Sequence, residues 1–271
     1  MSGGWPMLLD TALHQAAGLH SYTPQQDLRL LAVLSQPGSG PWLEMLWQLC
    51  SSLQRLGYPV VVLDGTALES PHMPGLDQLL HPAPWNGAQT LASATGASLA
   101  VVPAARGLAR LAQQSEHHGA TVLQRLQPLF RAYALVVLHA PPEQLAPLLR
   151  GSASVPLIMT GPGAQGMVRS YRQLKHMALH AGVRCTVASI LAPQEPVQHR
   201  QTAEALDTLQ RSARTHLGLQ VHTTTVAAAR AQDIQRLALQ LLENACTIDA
   251  AMPLLPPHSL CASLSPLDRS H

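Results

Sequence analysis

Apolar residues gather in short, nearly unbroken runs, set between longer stretches where they recur every three or four positions. The runs are "LRLLAVL" (28–34), "PVVVLDG" (59–65), "ASLAVVPA" (97–104), "YALVVLHA" (133–140), "VPLIMTG" (155–161), "VRCTVASIL" (183–191) and "LQVHTTTV" (219–226). A strand with one wet face alternates. A strand covered on both faces reads as a continuous apolar run, as several of these do. The stretches between them carry helical spacing: 42–57, 105–114, 119–130, 168–182, 202–218 and a last one near 227–245. In the last, Ile234, Leu237, Ala238, Leu241 and Leu242 fall on one face. Strand and helix in alternation predict a doubly wound α/β domain, with a mostly parallel sheet and helices on both faces. Its expected bounds are 28–247. A short extension, 1–27, precedes it, and a flexible Pro- and Ser-rich tail, 248–271, follows.

In such a sheet, ligands bind beyond the carboxyl ends of the strands. The first strand-to-helix turn is "SQPGSGPW", 35–42. Gly38, Ser39 and Gly40 suit a tight, phosphate-cradling turn. A working phosphate loop also needs a lysine for the phosphate charge and a hydroxyl for magnesium. Pro41 stands in the lysine position and removes a backbone donor as well. Trp42 stands in the hydroxyl position.

Composition narrows the picture. The chain has 271 residues, 46% of them hydrophobic, enough for a sizeable core. Charged residues make up only 12%, and the net charge is +2. That balance gives no footprint for nucleic acid or an anionic membrane. Cys50, Cys185, Cys246 and Cys261 form no CxxC pair, and no secretory leader or spanning-length apolar run is visible, so reduced thiols and a cytoplasmic location are expected. His176 and His180 stand i,i+4 on an expected helix. With no third ligand close by and no HExxH glutamate, they read as solvent-facing, and no metal is expected.

Three segments together resemble the deviant-Walker ATPases of the MinD/ParA group, and within it the flagellar-number regulators called FlhG or FleN. "HQAAGLH" (14–20) resembles the activating motif that precedes their first strand. "LLAVLSQPGSG" through "LQRLGYPVVVLDG" follows their strand, loop, helix, strand order. "GASLAVVPAARGLARLAQ" (96–113) resembles their "VPAxxGxxxLA" segment. The resemblance implies a nucleotide site along the strand ends. On it, Gln36 takes the position of the signature lysine, Pro41 the second lysine, and Trp42 the magnesium-binding threonine. Thr66 takes the position of the water-positioning aspartate, His139 that of the Walker B aspartate, and Ser189 lies near the base-reading asparagine. Asp64 alone keeps the family's residue.

Each lost charge-assisted phosphate contact costs roughly 1.5–3 kcal/mol, and several are missing together. The resemblance therefore implies a pseudo-ATPase with no cofactor that regulates flagellar number or placement through protein contacts. Its implied partners are an FlhF-type GTPase, or flagellar basal-body or transcription components. Leu13, His14, Gln15, Leu19 and His20 are the implied contact residues. Two alternatives remain: an active ATPase using ATP and Mg²⁺ with an unusual loop, and an accessory pseudo-ATPase of another surface machine such as cellulose secretion. The last helix has a nearly neutral polar face, so membrane contact is expected to be weak or absent.

Overall fold

The computed structural model describes residues 28–36, 42–81, 99–191 and 196–248. The strands are β1 (Arg29–Leu34), β2 (Val60–Asp64), β3 (Leu99–Pro103), β4 (Leu135–Ala140), β5 (Leu157–Thr160), β6 (Thr186–Leu191), β7 (His222–Ala227) and β8 (Cys246–Thr247). The α-helices are α1 (Trp42–Arg55), α2 (Leu76–Leu80), α3 (Ala105–His118), α4 (Pro142–Leu149), α5 (Ala164–His180), α6 (Pro196–Leu217) and α7 (Ala231–Glu243).

The sheet order is β3-β2-β4-β1-β5-β6-β7, parallel throughout, with β8 pairing antiparallel to the start of β1. This is the doubly wound arrangement that the pattern predicts. Every residue of β4, β5 and β6 is buried, as continuous apolar runs require. The edges differ: β7 is a largely uncovered threonine strand, and β3 exposes Val101.

Helices cover both faces. One core contains residues of α1 and α7, including Leu49, Leu53, Leu237 and Leu241. The other draws on α2 through α6, including Leu76, Leu108, Leu145, Leu174 and Leu206. All five predicted apolar residues of α7 are buried. That face packs against the sheet and α1. Arg29 of β1 donates to the carbonyl of Leu242, tying the end of α7 to the sheet.

Several elements depart from the pattern. Residues 119–130 do not form an α-helix: Gly119–Leu126 is a 3-10 helix, followed by turns. Pro128, two residues on, has no N–H to continue a helical ladder. No helix was expected over α4, which contains Pro142 and Pro147. Pro142 sits in the first turn, where its missing donor costs nothing. Neither α2 nor β8 is long enough to show a period. Extension 1–27 lies outside the described residues, as does the tail beyond Ile248.

Candidate functional site

Asp64 ends β2, and His139 lies one residue from the end of β4. They are register partners in adjacent parallel strands, so their side chains project alongside each other. Asp64 Oδ1 accepts from the backbone N–H of Thr66 at 2.9 Å and from Thr66 Oγ1 at 2.6 Å. His139 Nδ1 stands 3.2 Å from the same oxygen and donates to it when it carries the proton. His139 is 4% exposed, while the Asp64 side chain stays partly open to solvent. Burial pushes the Asp64 carboxyl up, but the hydrogen bonds from His139 and Thr66 outweigh it and hold the group below the usual carboxylate range. The one family-like acid therefore has its partners supplied by the chain.

A second closed contact lies at the end of β1. Gln36 Nε2 donates to the carbonyl of Met159 in β5 at 2.5 Å, and Gln173 Oε1 of α5 lies 3.5 Å from it. Gln173 Nε2 in turn donates to the carbonyl of Ser35 at 2.8 Å. Both amides are thus spent on fixing the entrance to the loop. Trp42, the first residue of α1, packs on the α1/α7 core, and its ring edge covers Gly161, just past β5. A Cβ at Gly161 would come within 3.2 Å of that ring. Gly38, Ser39, Gly40 and Pro41 lie outside the described residues, as do Leu13, His14, Gln15, Leu19 and His20. Ser189 is wholly buried in β6 beside Thr160, and its hydroxyl has no partner among the described residues.

The sequence reading missed Glu69 and Gln173. Glu69 is 1% exposed. Its two carboxylate oxygens accept from the backbone N–H groups of Arg106 and Gly107 at 2.7 and 2.8 Å. A helix N-terminus attracts an anion. At α3 the chain's own carboxylate takes that place. Gly75 and Gly107 make this possible, because each lets backbone approach where a side chain would collide. Glu69 gave no signal in the sequence, since a glutamate in a loop reads as solvated. Gln173 gave none, since a glutamine on a helix reads as surface.

Among the described residues, no group of three or more His, Cys, Asp or Glu could hold a metal ion, and no helix is long and apolar enough to cross a membrane. Cys50 and Cys185 are buried thiols pushed up to about 12 by desolvation, so they are unreactive at neutral pH.

No protein-family model and no curated protein matches the chain. Solved structures do resemble it. The cell-division protein MinD from Aquifex aeolicus is 13% identical, with a TM-score of 0.49, over 83% of this chain and 99% of that one. Cobyrinic acid a,c-diamide synthase from Mycobacterium smegmatis is 14% identical, with a TM-score of 0.48, over 80% and 94%. A ParA family ATPase from Chlorobium tepidum is 13% identical, with a TM-score of 0.45, over 83% and 97%. These are likenesses of fold.

Proposed function

We propose that the chain is a non-hydrolysing regulator of P-loop ancestry, of the FlhG kind, acting on flagellar number or placement through protein contacts. One observation supports the loss of hydrolysis: Asp64 and Gln36, at the strand ends, are engaged by the chain's own groups. A working site would leave an acid free to order magnesium. Here Asp64 is engaged by His139 and Thr66. It would also present a cation to the phosphates, and here Gln36 is tied to Met159. Phosphoryl transfer rests on positioned positive charge, and no lysine lies in or beside this turn.

Purified protein is expected to show no ATP hydrolysis above background and no change of oligomeric state with ATP and Mg²⁺. Labelled nucleotide and light scattering check this. Turnover that disappears in Asp64→Ala would overturn the reading and favour an active ATPase.

The proposed route of action is the N-terminal segment, with an FlhF-type GTPase as partner. Leu13, Ala16, Ala17 and Leu19 give it an apolar side, and His14, Gln15 and His20 a polar one. A segment this short is marginal as an isolated helix and gains order from a groove. Deleting 1–24 leaves every described strand in place, since β1 begins at Arg29. The truncated protein is expected to stay folded and to lose capture of the GTPase in a pull-down. Capture at full strength would move the contact to the α/β domain.

A further inference from the structure

The solvent face of α5 carries a row of side chains that neither the core nor the strand-end site uses. Met167, Ser170, Gln173, Leu174 and Met177 are buried against the protein. Val168, Arg172, Lys175 and Leu179 are exposed on the opposite side. Their spacing of four, three and four residues keeps them within about 60° of one another, in one row about 16 Å long. The row has an apolar residue at each end, Val168 at 51% and Leu179 at 65% exposure, and a pair of cations between them. Arg169 adds a further cation beside it. We propose that this row is the docking surface for an acidic amphipathic helix of another protein, with carboxylates set between apolar residues at the same spacing.

Charge complementarity names the occupant. α5 holds Arg169, Arg172 and Lys175 and has no acid. None of these cations has a hydrogen bond or ion pair among the described residues. Elsewhere the chain answers its surface arginines itself: Arg110 meets Asp77, Arg200 meets Glu204 and Arg236 meets Asp233. The acid of neighbouring α4, Glu143, acts on His176 at the flank of α5, outside the row.

The apolar ends narrow the partner further. A phosphate backbone gives Val168 and Leu179 nothing to pack on. A lipid layer needs a wide apolar face, and that face of α5 is spent on the core. A second copy presenting the same row would set cation against cation. A partner helix meets both features at once. Its carboxylates pair with Arg172 and Lys175, and its apolar residues cover Val168 and Leu179 and exclude water around those pairs. The row is separate in the chain from the N-terminal segment, and its role does not depend on whether the strand-end site binds nucleotide.

The test uses the full chain and a labelled synthetic helical peptide carrying Leu, Glu, Glu and Leu at the spacing of the row. Fluorescence anisotropy is expected to show saturable binding. It should weaken at least about tenfold in the double variant Arg172→Glu, Lys175→Glu, since the reversal turns attractions into repulsions. A matching peptide with Lys in place of Glu is expected to show the opposite preference and bind the variant better than the native chain. Binding of the acidic peptide should also weaken as NaCl rises from about 50 to 300 mM. Val168→Ser with Leu179→Ser should weaken it again, which a purely ionic contact would not show. All four positions are exposed, so melting temperatures are expected to match that of the native chain. Absence of saturable binding, or equal affinity for the native chain and the charge-reversed variant, would overturn the proposal. So would tighter binding of duplex DNA or phosphatidylserine vesicles than of the peptide, lost in the same variant, because that would assign the row to a phosphate surface.

Discussion

Gly75→Ala is expected to destabilise the protein by about 3 kcal/mol or more, at or above the top of the usual overpacking range. A Cβ at this position would lie 2.1 Å from the carbonyl oxygen of Pro103 and 2.6 Å from Cγ of Glu69. The first contact is with the backbone of β3, which cannot turn aside as a side chain could. Relief requires the loop after β2 to back away from β3. That movement would also draw Glu69 from the start of α3, leaving the buried N–H of Gly107 and the part-buried N–H of Arg106 without an acceptor. The damage should therefore exceed that of the single clash. Urea unfolding measures it. Gly57→Ala serves as a comparison: Gly57 has φ 91° and open space where the Cβ would go, so only backbone strain of about 1–2 kcal/mol is expected there. Equal losses at the two positions would mean that the loop yields freely and the Glu69 contact does not constrain it.

The second large effect is expected at the strand-end pair. His139→Ala should cost about 2–4 kcal/mol. It leaves a cavity beside Asp64 at the ends of β2 and β4 and takes a donor from a partly buried carboxylate. Asp64→Asn tests the same contact through pH. The Asp64 carboxyl is held below its ordinary value of about 3.9, so folding favours its ionised form. For a depressed acid, that stability is fully present above the unfolded pKa and is lost as pH falls through the folded one. The native protein should thus exceed Asp64→Asn in stability at pH 7, and the gap should close as pH falls below about 4. Unfolding curves at pH 7, 5 and 3 measure the gap. A constant gap would show that the ionised carboxylate contributes nothing and that the substituted amide merely packs less well.

The strand-end residues show how far sequence reading reaches. That Asp64 and His139 share an edge of the sheet follows from their places at the ends of two apolar runs. That they touch does not follow. Contact depends on β2 and β4 being neighbours, although β3 comes between them in the chain. Gln36 is similar: its place after β1 was legible, but its acceptor, the carbonyl of Met159, is 123 residues away. Glu69 was invisible for a related reason. A glutamate in a loop is normally solvated, and only the approach of α3, allowed by Gly75 and Gly107, turns it into a buried cap.

Local pattern alone determined the parallel sheet, the helices on both faces and the inward face of α7. Period and burial are set by each segment's own residues, because a run without polar positions cannot face water on either side. Tertiary structure decided the short elements and the state of the site. α4 forms despite two prolines because packing in the core holds Leu145, Ala146, Leu148 and Leu149. β8 forms because the start of β1 offers two unpaired positions beside it. Asp64 meets His139, and Gln36 meets Met159, because strand order brings them within hydrogen-bond reach. Sequence separation carries no information about that distance, and only the folded sheet supplies it.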